Sequence, residues 1–160
     1  MASGVRFARG ASVTAIEPGG EGFVLRAGTR SVTCERVVLA AGLGNARLAP
    51  YVGLAAPVTP NKGQILALER VAPFLPVALE SLRQTADGTV LVGDAQQDVG
   101  FDESQDLGVM ATMAQRAVRV FPFLRDVRVV RAWSALRVMS PDGFPIYAQS
   151  RAARKGAGTG

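Results

Sequence analysis

The sequence predicts an α+β protein, and three features of the 160-residue chain support that class. Short strand-like runs separated by glycine-containing turns fill residues 11–34 and predict a small antiparallel meander. Residues 37–42 form a continuous apolar run, which is typical of a strand buried on both faces. Residues 103–120 have the spacing of an amphipathic helix and lie between further strand-like runs. This order indicates antiparallel sheets with one helix packed against a face.

The predicted meander contains three strands. Residues 11–17, 23–27 and 31–34 have the pattern of strands, and the stretches between them, 18–22 and 28–30, have the composition of turns. Because consecutive strands joined by such short turns can only run in opposite directions, we expect all three to pair antiparallel.

The second half of the chain is expected to form another antiparallel sheet. Residues 79–85 and 89–92 flank an Ala-Asp-Gly tripeptide at 86–88, which is a strong hairpin signal. Residues 63–68 and 127–139 are predicted as two more strands, and the second of these ends before a Pro-Asp-Gly turn. The predicted helix would pack on one face of this sheet.

The helix has the most regular pattern in the chain. Its apolar residues recur at intervals of three and four, as on the inward face of a helix. Pro122 ends the pattern, and Asp102 or Ser104 is expected to cap the amino terminus. We interpret the apolar stripe as core and not as a contact with a cofactor. Its members are Leu107, Met110, Ala111, Ala114, Ala117, Val118 and Phe121.

The composition excludes several kinds of site. Cys34 is the only cysteine and there is no histidine, so an intramolecular disulfide, a usual structural zinc site and a Ser-His-Asp or Cys-His nucleophile are all excluded. A single reduced thiol fits a cytoplasmic protein. No apolar run is long enough to span a bilayer and no signal peptide is recognisable, so we expect no transmembrane segment.

The net charge of +5 does not by itself indicate a nucleic-acid-binding surface. Arg151, Arg154 and Lys155 lie in the last ten residues, which leaves a net charge of +2 for the rest of the chain. No Lys and Arg cluster interleaved with aromatic residues occurs elsewhere, so we expect no nucleic-acid partner. Residues 151–160 are predicted to be disordered. Binding of this basic tail to nucleic acid or to a membrane surface is kept as an alternative.

Arg137 is the most informative single residue. It lies in the strand-like run W-S-A-L-R-V-M-S at 133–140, where a charge is costly to bury without a partner. A guanidinium matches the geometry of a carboxylate, so the arginine requires an anion from the chain or from a ligand. The alternatives to a ligand are a surface arginine on an edge strand and a pair with Asp142.

Four motifs in this order resemble a known family. They are V-V-L-A-A-G at 37–42, P-V-T-P-N-K-G-Q at 57–64, A-D-G-T-V-L-V-G at 86–93 and W-S-A-L-R-V-M-S-P-D-G-F-P-I-Y at 133–147. Together they resemble the carboxyl-terminal half of the D-amino-acid oxidase-like FAD-dependent oxidoreductases, the superfamily of glycine and sarcosine oxidases. Within it the chain is most similar to the branch that contains flavoprotein subunits of hydrogen cyanide synthase and opine oxidase. The resemblance covers about residues 5 to 150.

The resemblance implies six site residues. Arg137 matches the arginine that pairs with the substrate carboxylate in amino-acid oxidases. Five further positions match segments that lie close to the flavin cofactor in the family, and we interpret them as cofactor-binding. They are Val13, Ala41, Gly42, Gly63 and Gln64.

The resemblance also implies a reaction and a domain plan. The cofactor would be FAD, and the C–N bond of an amino acid or related amine, of the glycine or opine type, would be oxidised by hydride transfer to the flavin. Residues 1–51 would belong to a partial FAD-binding domain, 52–136 to a substrate-binding domain and 137–150 to a return segment, followed by the tail 151–160. Partner subunits of a hetero-oligomer are implied as well, with a peripheral position at the inner membrane as the alternative to the cytoplasm.

The chain also departs from the family pattern. It lacks the G-x-G-x-x-G motif that holds the FAD pyrophosphate at a helix amino terminus, and it ends in the basic tail where the family has a closing strand and helix. We therefore expect a fragment of a flavoenzyme in which FAD is bound weakly or not at all. The alternative is an inactive remnant or a split-enzyme subunit that acts only through association with a partner chain.

Overall fold

The computed structural model describes residues 4–20 and 22–150. They divide into two units: one holds the residues up to Val58 together with those from Ser140, and the other is Thr59–Met139. The predicted disorder of 151–160 lies outside the described residues, as does Glu21 in the first predicted turn. No helix within the described ranges is both long and apolar enough to cross a bilayer.

The first unit contains the predicted meander. Strands β1 (Ala15–Gly19), β2 (Gly22–Ala27) and β3 (Arg30–Cys34) pair antiparallel in that order. The inward side chain of Ile16 is 2% exposed and lies in a small apolar cluster with Leu48. Burial of this face holds the meander against the short helical segments that follow it.

Residues 37–42, predicted as a buried strand, are not a strand in this structure, so that prediction is wrong. Val37 and Leu39 pack into the apolar cluster, whereas Val38 is 88% exposed. The run has no hydrogen-bonded strand beside it among the described residues. Exposure alternates along it, with Val37 and Leu39 half-buried and Val38 and Ala40 exposed, so only one of its faces is covered. It leads into a 3-10 turn at Gly42–Gly44, helix α1 (Asn45–Leu48) and a second 3-10 turn.

The second unit is built on a four-stranded antiparallel sheet. Its strands are β4 (Thr59–Arg70), β5 (Leu82–Gln84), β6 (Thr89–Val92) and β7 (Val129–Met139), in the spatial order β5-β6-β4-β7. The hairpin formed by β5 and β6 confirms the prediction from the Ala-Asp-Gly turn. The long central strand β4 pairs with β7 along most of its length, and this pairing places the candidate site.

Helix α2 (Leu107–Val120) covers one face of this sheet. Met110, Met113 and Ala117 are buried on its inner side, and Ala114, Val118 and Phe121 pack against the same core, which confirms most of the predicted apolar stripe. The prediction is wrong for Leu107, which is 77% exposed, and for Ala111, which is also exposed, and it did not include Met113. They pack in one core with residues that alternate along the strands. The strand residues of this core are Leu66, Leu68, Leu82, Val90 and Val92.

The cap of α2 corrects the prediction that Asp102 or Ser104 would begin the helix. Asp106 is the cap, and its Oδ1 accepts hydrogen bonds from the backbone N–H groups of Gly108 at 2.9 Å and Val109 at 3.1 Å. The Asp102 carboxylate instead accepts a hydrogen bond from the ammonium of Lys62 on β4. This bond holds Asp102 at the strand, and its side chain does not cap the helix.

Candidate functional site

Arg137 lies on β7 directly opposite Asn61 on β4. Its Nη1 donates a hydrogen bond to the Ala95 carbonyl oxygen at 2.8 Å and a longer one to Asn61 Oδ1 at 3.3 Å. None of the ion pairs formed by the described residues of this unit includes Arg137. Asp142, the alternative partner considered from the sequence, accepts from Ser140 and Phe144 within its own turn. The other alternative, a surface arginine on an edge strand, agrees with the structure, since Arg137 is exposed and β7 is the edge strand of the described sheet. Its guanidinium is anchored by neutral groups and forms no ion pair within the described part of the unit.

Gly63 provides the space in which this guanidinium lies. An ideal Cβ built on Gly63 would stand 2.6 Å from Cζ and Nη1 of Arg137 and 2.7 Å from Nη2. Carbon and nitrogen atoms in contact stay well beyond 3 Å, so no residue with a side chain fits beneath the guanidinium where it now lies. The absence of a Cβ at position 63 is thus a structural condition for the position of Arg137.

The anchors of Arg137 come from a segment that is tied to β4. The backbones of Lys62 and Gln97 exchange hydrogen bonds of 2.9 and 3.0 Å, which lays the segment after β6 alongside the strand. Asn61 Nδ2 donates to Asp98 Oδ1 at 2.8 Å. Ala95, whose carbonyl oxygen accepts the hydrogen bond from Arg137 Nη1, is 6% exposed. A buried carbonyl on a tethered segment is a fixed acceptor, and it limits the freedom of the arginine side chain.

Two buried polar side chains fix the same segment from the helix-covered face. Lys62 is 2% exposed, and its Nζ donates to Asp102 Oδ2 at 2.8 Å and to the Ser104 carbonyl at 3.1 Å. Gln64 is fully buried, with Nε2 donating to Gln97 Oε1 at 2.8 Å and Oε1 accepting from the Asp106 backbone N–H at 2.8 Å. Because both ends of the Gln64 amide are bonded within the chain, its side chain links β4 to the cap of α2.

The pair between Lys62 and Asp102 predicts a pH dependence of stability. Hydrogen bonds from the Lys62 ammonium, and then from Ser104, lower the pKa of Asp102 from 3.8 to about 2. A carboxyl group whose pKa is lower in the folded state stabilises the fold above its unfolded-state pKa, and this contribution is lost as the pH falls from about 4 to about 2.

The comparison of the wild-type chain with Asp102→Asn measures this effect. In urea titrations the wild type should have the higher midpoint at about pH 7, and the gap should close at about pH 2. A gap of the same size at both pH values would contradict the assignment.

The three remaining candidate residues lie in the first unit. The Val13 carbonyl accepts a hydrogen bond from Arg47 Nη2 at 2.9 Å, and its side chain packs against the apolar cluster. The Ala41 backbone N–H donates to Asn45 Oδ1 at 3.1 Å, and Gly42 has a φ of 57°, in the left-handed region that favours glycine. The contacts of these residues, and of Gly63 and Gln64, with a cofactor stay predictions.

The residues that hold Arg137 are not among those predicted from the sequence. Of the two acceptors, Asn61 belongs to one of the family motifs, beside Lys62, and the motif alone does not indicate what either residue contacts. A signal is nevertheless present, since two polar residues precede G-Q in a run that is otherwise apolar as far as Leu68. Polar groups in a buried strand require hydrogen-bonding partners from elsewhere in the chain.

The two antiparallel sheets, with a helix packed on the second, place the chain in the class of glycine oxidase-like folds. The structure superposes on glycine oxidase from Geobacillus kaustophilus with a TM-score of 0.79 and 26% sequence identity, over 89% of this chain and 40% of that one. A family model described as FAD dependent oxidoreductase matches residues 1–157. The chain belongs to this family.

Two curated relatives confirm the resemblance in both predicted branches. A subunit of the opine oxidase of Rhizobium meliloti is 45% identical over 138 residues, which cover 86% of this chain and 37% of the relative. The HcnC subunit of the hydrogen cyanide synthase of Pseudomonas aeruginosa is 37% identical over 118 residues, which cover 71% of this chain and 28% of the relative. Both relatives are named as subunits, and the chain spans well under half the length of each.

Proposed function

We propose that this chain forms part of an FAD-dependent oxidoreductase that oxidises the C–N bond of an amino acid or related amine, of the glycine or opine type. The observation that supports the proposal is the guanidinium of Arg137. It is held in place by Ala95 and Asn61, which are neutral acceptors, and has no carboxylate partner among the described residues of its unit. A positioned and uncompensated guanidinium favours binding of a carboxylate ligand.

The role of Arg137 would be to bind and orient the substrate. Only its Nη1 donates hydrogen bonds to described residues of the unit, so Nε and Nη2 are left for the two oxygens of a carboxylate. Two parallel hydrogen bonds would fix both the position and the rotation of the amino acid, and so the direction of its Cα–H bond. A substrate that binds as the neutral amine can lose hydride without a dedicated acid–base pair, which is consistent with a chain that has no histidine.

Small residues at 40–42 of the first unit leave the backbone open to a ligand. Ala40 and Ala41 are exposed and have nothing larger than a methyl group, and Gly42 has no side chain, so a ligand could approach this backbone closely. FAD, when bound, would accept the hydride. We assign the first unit to a partial FAD-binding domain and the second to a substrate-binding domain. Because the 160 residues lack G-x-G-x-x-G, we expect FAD to bind this chain alone weakly or not at all.

A second candidate function is association with a partner chain, without catalysis. Strand β7 is at the edge of its sheet in the described part of the unit, and Val130 and Val138 on it are 63% and 47% exposed. An apolar edge strand presents unpaired backbone groups to another strand. If association were the sole function, changing Arg137 would have no effect on the behaviour of the chain towards small carboxylates.

Iminodiacetate, which combines a secondary amine with carboxylates, is a suitable probe for the test. We expect the Arg137 Nε–Hε resonance of the 160-residue chain to shift on titration with iminodiacetate. Arg137→Lys keeps the charge but loses the planar pair of donors. It should therefore weaken binding about tenfold, which corresponds to a loss of about 1.4 kcal/mol in binding free energy. The measurement is the dissociation constant from NMR titration.

Arg131→Lys is the matched control for this titration. Arg131 lies on the same strand, with its Cζ 5.1 Å from the centroid of the Trp133 ring, and it is not part of the proposed carboxylate site. Its conservative replacement should leave the dissociation constant unchanged. If the Arg137 signal does not respond to iminodiacetate, or if both variants bind it equally well, the proposed function is wrong.

A further inference from the structure

Asn61 lies between Arg137 and Asp98 and is hydrogen-bonded to both. Its Oδ1 accepts from Arg137 Nη1 at 3.3 Å, while its Nδ2 donates to Asp98 Oδ1 at 2.8 Å. The three side chains form a continuous row of carboxylate, amide and guanidinium within one unit. The Asp98 carboxylate bonds to the amide, and the amide bonds to the guanidinium, so the influence of Asp98 on Arg137 passes through Asn61.

The chemistry of the two neighbours selects one orientation of the amide. A guanidinium only donates hydrogen bonds, and an ionised carboxylate only accepts them. An amide between these groups satisfies both in one of its two flipped orientations and neither in the other. Asn61 is 9% exposed, so solvent is poorly placed to compensate the wrong orientation. The carboxylate of Asp98 therefore turns the carbonyl oxygen of Asn61 towards Arg137.

We propose that Asp98 is a positioning residue for Arg137 and acts through the amide of Asn61. The inference rests on the proposed function in one respect, that the placed guanidinium serves a carboxylate ligand. The amide has a property that an acid at position 61 would lack: it fixes one guanidinium nitrogen and leaves the positive charge for the ligand. The side chain of Asn61 separates the negative charge of Asp98 from the guanidinium.

The test measures the order of the Arg137 side chain without any ligand. By ¹⁵N relaxation of Arg137 Nε in the full 160-residue chain, Asp98→Ala should lower the order parameter. Asp98→Asn should keep the order parameter close to that of the wild type, since the new amide oxygen can still accept a hydrogen bond from Asn61 Nδ2. Asp126→Ala removes the same charge from an exposed position at the end of a 3-10 turn in the same unit, and it should change nothing.

The dissociation constant of iminodiacetate provides the second readout. Asp98→Ala should raise it about fivefold to tenfold, the effect of one net hydrogen bond, whereas Asp98→Asn should stay within about twofold of the wild type. Asn61→Asp should abolish binding, because a carboxylate at this position would pair with the guanidinium. An unchanged order parameter in Asp98→Ala would overturn the positioning role, even if iminodiacetate binds normally. A lowered order parameter in a chain that never binds iminodiacetate would support the positioning role and count against the proposed function alone.

Discussion

Gly63→Ala is expected to raise the dissociation constant of iminodiacetate about a hundredfold while leaving the chain folded. The new Cβ would occupy the space of the Arg137 guanidinium, from which it would stand only 2.6 Å away. The arginine must then leave its hydrogen bonds to Ala95 and Asn61, and its donors no longer converge on one carboxylate position. Two charge-assisted hydrogen bonds to a ligand contribute about 3 kcal/mol together, which corresponds to the stated change in affinity.

The stability of Gly63→Ala should change little, and this separates the effect from unfolding. The three nearest neighbours of the added Cβ are all atoms at the flexible end of one side chain, so the backbone of β4 need not move. Alanine is favoured over glycine in a strand interior by about 0.5–1 kcal/mol, which offsets the loss of the Arg137 anchors. The urea midpoint should therefore stay close to that of the wild type.

A double-mutant cycle tests whether Gly63 acts through Arg137. If it does, Gly63→Ala should add no further loss of iminodiacetate binding to that of Arg137→Ala, since the guanidinium is already gone. Additive losses in the double variant would show that Gly63 contributes to binding independently of Arg137, and the steric explanation would be wrong.

Lys62→Ala is expected to lower the free energy of unfolding by about 2–4 kcal/mol. The side chain is 2% exposed and donates to both Asp102 and the Ser104 carbonyl, so the change creates a cavity and removes two hydrogen bonds. Breaking a fully buried ion pair would cost more, but the Asp102 side chain is 44% exposed and its carboxylate can return to water. The cavity and the hydrogen bond to Ser104 therefore account for most of the loss. Urea unfolding at neutral pH measures it.

One further variant separates the contributions to this loss of stability, and another serves as the control. Lys62→Met keeps the long apolar stem and loses only the ammonium, so it should cost about 1–2 kcal/mol. Arg70→Met removes an ion pair with Asp87 whose arginine side chain is 74% exposed, and it should cause no measurable change. Equal stability of Lys62→Ala and the wild type would mean that the buried lysine does not fix the segment beside β4.

Local signals predicted most of the secondary structure. The Ala-Asp-Gly turn between two apolar runs predicted the β5–β6 hairpin. The spacing of Met110, Ala114 and Ala117 predicted most of the buried face of α2, although not Met113. The run at 37–42 was wrongly predicted as a strand because apolarity does not reveal whether a neighbouring strand is present. The helix cap was misplaced for a related reason, since the competing partner of Asp102 is Lys62, 40 residues earlier in the chain.

The sequence by itself determined that the last strand of the second sheet would carry an arginine, and that the chain resembles the FAD-dependent oxidoreductases. Only the tertiary structure decided how that arginine is held. Arg137 is 76 residues from Asn61 and 42 residues from Ala95 along the chain. Pairing of β4 with β7 brings Asn61 to it, and the bridge between Lys62 and Gln97 brings the segment of Ala95. Contacts across such separations depend on strand register, which alternates the side of the sheet at every residue. That register also places Gly63 beneath the guanidinium, where the lack of a side chain leaves the space that the guanidinium occupies. No local sequence pattern indicates this role.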